Sequence, residues 1–351
     1  MPFVPKKQAF NAHINEVVLG VGDKATAIGG QNVLPFHTFD AEIKNAPKIG
    51  VELTDFGMEE YTMPGEKEFY AGCETVVDMA KRAETMEGAS FLCLHFEGAD
   101  PNGANKSTEE CVALAKAVAD AVTMPIVIMG CKNIEKDTEL FNKIAEALAG
   151  KNILVLSARD ENYKTVGASA GLAYGQKVGA ESAVDINLAK QLNTVMTQLG
   201  VNAQSIVMNI GSAAAGYGYE YVASTLDRVK DAALKQADAM LQMPIMTPVS
   251  ADAWGVKEAV IWQDYMIYAL ILGIADKLEA QIQELYPDQL PQLNQYRRYV
   301  HYTGCYNGVM YGAYSREKLR RAPNRRAGGG GGRVSFGGGG GFSGGGRGGI
   351  R

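Results

Sequence analysis

Short apolar or β-branched runs alternate along the chain with longer stretches in which apolar residues return at helical spacing. That alternation predicts βα units around a parallel sheet. Seven runs read as strands: residues 49–53, 91–96, 125–129, 153–156, 183–186, 205–209 and 244–249. The segments between them carry helix signals. Ser107-Thr108-Glu109-Glu110 is a capping box ahead of Cys111, Leu114, Ala115 and Val118 on one face, and residues 135–148 repeat the pattern. Ahead of the first unit, residues 14–19 and 25–28 flank Gly20-Val21-Gly22-Asp23-Lys24, which reads as a hairpin able to plug the lower end of a barrel.

The pattern changes after Trp254. Ile261, Tyr265, Tyr268, Leu272, Ala275, Ile282 and Leu285 approximate one apolar stripe at helical spacing, and no eighth strand is found. The uncharged stretch of this segment, 265–275, is bounded by Asp264 and Asp276, far short of the roughly 20 apolar residues a bilayer span needs. A soluble or interfacial amphipathic helix is the reading. From Tyr296 the chain becomes aromatic and arginine-rich and then runs into glycine. Such a tail has too little apolar surface to order itself, so disorder is expected after about residue 322. RNA or anionic-lipid contact and a plain solubilising role are both open for it.

These readings give an α/β fold of the TIM (β/α)8 type that lacks its eighth strand, followed by an amphipathic helix and a disordered Gly/Arg-rich tail. The expected divisions are a hairpin region over 1–46, the barrel over 47–259, the helix over 260–295 and the tail over 296–351. A length of 351 residues suits one such barrel with an appendage, and 46% hydrophobic residues suffice for a sizeable core. The formal charge of -5 comes from an acidic body, which argues against DNA binding. Cys73, Cys93, Cys111, Cys131 and Cys305 are scattered without close metal-binding spacing, as free thiols in a reducing cytoplasm would be. The first residues lack the apolar run of a signal peptide.

In a parallel barrel, function sits where strands end. The second strand leads into Glu97-Gly98-Ala99-Asp100-Pro101-Asn102-Gly103, the fourth into Ser157-Ala158-Arg159-Asp160-Glu161-Asn162-Tyr163, and the sixth into Asn209-Ile210-Gly211-Ser212. These loops offer carboxylates, amides and flexible backbone to a polar ligand, although Asp-Pro-Asn-Gly alone is equally a turn signature. The stretch from Gly211 through Tyr217 and Tyr219 lacks the endings of a P-loop or dinucleotide fingerprint, so nucleotide binding is rejected. Its tyrosines can present flat faces to a bulky ligand. His95 falls inside an apolar strand and reads as a hydrogen-bonded barrel residue rather than a metal ligand. No nucleophile and base pair at catalytic spacing, so the chain shows a binding face without an evident catalytic engine. Catalytic residues are left unassigned.

Several segments resemble the small, δ-type subunit of the acetyl-CoA decarbonylase/synthase corrinoid iron-sulfur protein, over about residues 14–259. They are Ile28-Gly29-Gly30 through Leu34-Pro35-Phe36, the loop Ala99-Asp100-Pro101-Asn102-Gly103, Ala180-Glu181-Ser182 through Asn193, Gly216-Tyr217-Gly218-Tyr219-Glu220-Tyr221, Leu241-Gln242-Met243-Pro244-Ile245, and Trp254-Gly255-Val256-Lys257-Glu258-Ala259. The resemblance implies a TIM barrel that pairs as a heterodimer with a larger subunit carrying the iron-sulfur cluster, and that covers a corrinoid (cobalamin). In that family, methyl transfer runs from a methyl-tetrahydropterin, through its methyltransferase and the corrinoid, to acetyl-CoA synthase. Carried over to this chain, Asp100, Asn102, Gly103, Asn209, Gly211, Ser212, Tyr217 and Tyr219 face the corrinoid or the partner, and the chain serves as an accessory, non-catalytic subunit. Beyond Val260 the sequence resembles the carboxy-terminal region of predicted bacterial membrane proteins of the DUF2207 type, which points to a junction there. Two other readings stand beside this one: a stand-alone pterin-binding TIM-barrel methyltransferase, and an interaction module driven by the tail.

Overall fold

The computed structural model describes residues 7–8, 10–34, 37, 39–58, 64–213 and 218–249. Tyr217, the amphipathic segment and the glycine-rich tail therefore lie outside the described residues.

The chain opens with the expected hairpin. β1 (Val17–Leu19) and β2 (Thr26–Ile28) pair antiparallel, and positive φ at Gly20 and Gly22 lets the connection turn tightly. Next comes a six-stranded sheet of β3 (Ile49–Thr54), β4 (Ala89–His95), β5 (Ile126–Met129), β6 (Leu154–Ala158), β7 (Lys177–Glu181) and β8 (Ile206–Asn209). All neighbours are parallel and in sequence order. Short helices α1 (Pro64–Phe69) and α2 (Val76–Ala83) connect β3 to β4. α3 (Thr108–Ala121), α4 (Ile134–Ala147), α5 (Tyr163–Val166), α6 (Ile186–Leu199) and α7 (Tyr219–Leu234) follow β4 to β8 in turn. A π-helical stretch, Gly167–Ala173, extends α5.

Side-chain caps open several of the helices. Ser107 accepts the backbone N–H of Glu110 at 3.2 Å while the Glu110 carboxylate accepts that of Ser107 at 2.8 Å, closing the box read from the sequence. Asn133 caps α4 and Asp185 caps α6. The main core lies between helices and sheet. Leu92, Leu94, Ile126, Ile128, Val155 and Met208 face Leu140, Phe141, Ile144, Leu192, Met196 and Val229. Full burial of each such large side chain contributes about 1.5–3 kcal/mol.

The other face of the sheet encloses a second, smaller core. Phe91, Val127, Met129, Leu154, Leu156 and Val207 meet Val17, Leu19 and Ile28 from the hairpin. The hairpin is tied to the strand starts: Thr26 Oγ1 donates to Ser90 O at 3.1 Å, and the Asn152 amide donates to Val18 O and Gly20 O, each at 2.9 Å. Gly50 leaves space for the Phe91 ring, since a Cβ there would come within 2.0 Å of it.

The fifth predicted run is wrong. Residues 183–186 form no strand: Ala183 and Val184 have positive φ, Asp185 caps α6 and Ile186 begins it. The strand lies earlier, at Lys177–Glu181. Its glycine, alanine and terminal charges carry little β propensity, and pairing on both sides decides its conformation. The seventh run, by contrast, begins to extend the sheet. Ile245 bridges Met208 in parallel, with Met208 N–H donating to Pro244 O at 2.8 Å and Met246 N–H to Met208 O at 2.9 Å. Pro244 thus repeats the role of Pro125, whose carbonyl accepts Leu92 N–H at 2.9 Å. Among the described residues β3 pairs with β4 alone and the sheet is not closed, which makes the fold a partial TIM-like barrel.

Candidate functional site

Moving up the inner face of the sheet, side chains change from apolar to charged at one level. Alternation on β4 places Phe91, Cys93 and His95 inward, because Leu92 and Leu94 belong to the helix-facing core. The same alternation points Glu52 on β3, Glu181 on β7 and Asn209 on β8 into the mouth, with Glu181 and Asn209 in register. Lys132 and Arg159 join them from the ends of β5 and β6.

The polar layer is bonded internally. Lys132 Nζ lies 2.8 Å from Glu181 Oε2, and Arg159 donates to Glu181 Oε1 at 3.1 Å. His95 Nδ1 lies 2.7 Å from Glu52 Oε1, and the Asn209 amide donates to Ser157 Oγ at 2.9 Å. Burial alone would raise the Glu181 carboxyl, but the charges and hydrogen bonds of Lys132 and Arg159 outweigh it and hold the group below the ordinary glutamate range. Glu52 is held down in the same way, with burial opposed by the His95 hydrogen bond and charge and by Lys132. Cys93, half-buried beneath them, has its thiol pushed well up by burial and by the Glu52 charge.

Around this mouth the sequence-predicted residues fall into two turns. After β4, Asp100 accepts the backbone N–H of Asn102 at 2.9 Å, and its carbonyl accepts those of Gly103 and Asn105 at 2.9 and 3.0 Å. Asp-Pro-Asn-Gly therefore does form a turn, and one set beyond the C-terminal end of β4. Asp55 latches that loop to β3, accepting Gly98 N–H at 2.8 Å and pairing with Lys106 at 3.1 Å. After β8, Asn209 accepts Gly211 N–H at 3.1 Å, Gly211 O accepts the Thr247 hydroxyl, and Ser212 is buried. Tyr219 is exposed at the start of α7, reached through Gly218 in the left-handed region. Of the predicted residues, Asn209 is bonded into the mouth itself, through Ser157.

Glu52, Lys132 and Glu181 were missed, and Arg159 was noted only as loop. The available signal was a charge at the end of an otherwise apolar strand, which a buried position does not tolerate without a partner. For Glu181 that signal was lost with the misplaced fifth strand. His95 behaves as expected, hydrogen-bonded within the barrel. No group of three or more His, Cys, Asp or Glu among the described residues is placed to hold a metal ion. No helix among them is long and apolar enough to cross a membrane.

Comparison with known proteins gives this geometry a setting. A family described as the CO dehydrogenase/acetyl-CoA synthase delta subunit matches residues 16–289. Curated relatives include the acetyl-CoA decarbonylase/synthase complex subunit delta of Methanothermobacter thermautotrophicus, 33% identical over 258 residues that cover 73% of this chain and 65% of the relative. That of Archaeoglobus fulgidus is 32% identical over 267 residues, 73% of this chain and 58% of the relative. That of Methanopyrus kandleri is 29% identical over 240 residues, 68% and 59%. The chain thus spans between 58% and 65% of these three relatives. The family match runs on to residue 289, beyond the expected limit at 259. On this evidence the chain belongs to the CO dehydrogenase/acetyl-CoA synthase delta subunit family.

Proposed function

We propose that this chain is an accessory subunit of an acetyl-CoA decarbonylase/synthase complex, the barrel half of a corrinoid iron-sulfur pair. Its task is to cover a corrinoid with the C-terminal face of the sheet. The observation that carries the reading is the polar layer of Glu52, His95, Lys132, Arg159, Glu181 and Asn209 at the mouth of a barrel otherwise filled with apolar side chains, in a chain of this family.

The residues fit such a group. A corrinoid presents a ring edged with carboxamides, which need donors and acceptors spread over a broad face rather than one deep charge. This end of the sheet supplies them from both turns: Asn102 and the backbone at Gly103 on one side, Gly211, Ser212 and the exposed Tyr219 on the other. Cobalt in the bound corrinoid would supply the methyl-carrying chemistry. The chain's own part is to bind and orient the ring and to exclude water from it. Its methyl donor would be a methyl-tetrahydropterin and the acceptor acetyl-CoA synthase, with the iron-sulfur cluster held by the larger partner and the whole assembly in the cytoplasm.

Co-purification with the large corrinoid iron-sulfur subunit, followed by visible absorption of the corrinoid, tests the proposal. A coloured 1:1 complex is the expected result, and a colourless or unpartnered chain overturns it.

A further inference from the structure

Lys132 and Arg159 reach Glu181 from just beyond β5 and β6, and one buried carboxylate stands behind both. Asp137, in the first turn of α4, is 5% exposed and points back under the end of β5. Its Oδ1 accepts the Cys131 N–H at 2.7 Å and its Oδ2 the Lys132 N–H at 2.9 Å. Gly130 makes room for it, since a Cβ there would overlap the Asp137 carboxylate. Gly130, Cys131 and Lys132 therefore wrap around a fixed anion that engages them with both oxygens.

That wrapping acts on Lys132. Its φ of +70° lies in the left-handed region, which a lysine rarely adopts unless its surroundings impose it. Asp137 imposes it by holding the N–H of the same residue. From this backbone the Lys132 side chain runs to Glu181 at 2.8 Å, while the Lys132 carbonyl accepts Arg159 Nη1 at 3.5 Å. Arg159 also reaches Glu181, at 3.1 Å. Both cations are thus placed by one short stretch of backbone. They share a field with Asp137 as well: burial pushes its carboxyl up, and the hydrogen bonds from Cys131 and the charges of Arg159 and Lys132 oppose the rise.

A helix-starting role does not account for Asp137. Asn133 already caps α4, accepting the Lys136 N–H at 3.0 Å. Nor does holding two backbone N–H groups require a buried charge, which costs more to desolvate than a neutral acceptor.

We propose that Asp137 is the positioning residue of the barrel mouth: by holding the Cys131 and Lys132 N–H groups it sets the left-handed Lys132 backbone, and through it the directions in which Lys132 and Arg159 meet Glu181. Asp137 lies behind the mouth and acts through Lys132. The inference concerns the chain's own residues and stands whether or not the mouth covers a corrinoid.

The test is a double-mutant cycle in the full chain, Lys132→Met against Glu181→Gln, read as folding equilibrium constants from urea melts. With Asp137 in place, the two changes should be coupled by about 10- to 100-fold. In Asp137→Asn, whose side chain accepts one N–H and opposes the other, the coupling should fall to about twofold or less. An Asp137 that served stability alone would lower the urea midpoint when replaced and leave the coupling as it was, and that result overturns the inference. So does an absence of coupling in the wild-type background. Amide exchange in the wild-type chain supplies a second measurement, which decides the matter even if Asp137→Asn does not fold. The Cys131 and Lys132 amides should exchange as slowly, within about tenfold, as those of Ile128 and Met129 in β5. Exchange at the rate of an exposed loop overturns the inference. No corrinoid enters either measurement, so a failure here leaves the proposed function standing, and a colourless pair leaves this inference standing.

Discussion

Lys132 and Glu181 are 49 residues apart in the chain and 2.8 Å apart in the barrel mouth. Arg159 reaches the same carboxylate from the strand between them, so one side chain joins the ends of β5, β6 and β7. Glu181→Ala leaves two largely buried cations without their partner. A loss of about 3 kcal/mol is expected, read as a lower urea midpoint with unchanged slope. A loss below about 1 kcal/mol would mean that solvent screens the cluster as it does a surface pair.

The same cluster sets a pH dependence. Glu181 and Glu52 both have carboxyl groups held below the ordinary glutamate value of about 4.3, so the folded state binds fewer protons than the unfolded one in that region. Their contribution is fully present above that value and is lost as pH falls through the lower folded values. Melting temperature should therefore drop on acidification from about pH 5 downward, and more shallowly in Glu181→Gln. A parallel fall in both proteins would assign the acid sensitivity elsewhere.

Asn152 holds the hairpin through two amide hydrogen bonds from a residue whose own φ is +52°. Asn152→Gly keeps that backbone conformation and removes the bonds. Hydrogen exchange across 17–28 should speed up by roughly tenfold or more, while strands β4 to β7 stay protected. Uniform acceleration over the whole sheet would show instead that the hairpin is part of the global unfolding unit.

Gly50 lies under the Phe91 ring with no room for a side chain. Gly50→Ala should cost about 1–3 kcal/mol through overpacking, and Phe91→Leu in the same chain should restore part of it. Thermal melts of the single and double variants measure the coupling, and strict additivity would deny the contact.

Sequence pattern disclosed most of this fold because its signals were local. Ser107 and Glu110 are three residues apart, and the repeated Met-Pro-Ile at 124–126 and 243–245 marks two strand entries with the same carbonyl contact. Lys177–Glu181 escaped because nothing local favours a strand there. Buried neighbours on both sides impose it, while the more β-branched Val184 and Ile186 serve a turn and a helix start. The mouth was half legible for a related reason. Asn209 stands beside an obvious loop, but Glu52, Lys132 and Glu181 gain meaning from each other only across strands, and a single sequence does not display such pairings.

The hairpin at 17–28 has one more consequence, for the order in which the molecule is made. Its anchoring bonds to Asn152 span 132 and 134 residues. Contacts over such separations form late, since a long loop must close before they reward the chain. On a ribosome the hairpin emerges ahead of the sheet and has nothing to dock on until β4, β5 and the start of β6 have followed it out. Val17, Leu19 and Ile28, all buried in the finished protein, stay uncovered during that interval. The floor of this barrel is synthesised before the strands it rests on and docks only after them, so its apolar edge is a stretch that a chaperone would cover in the meantime.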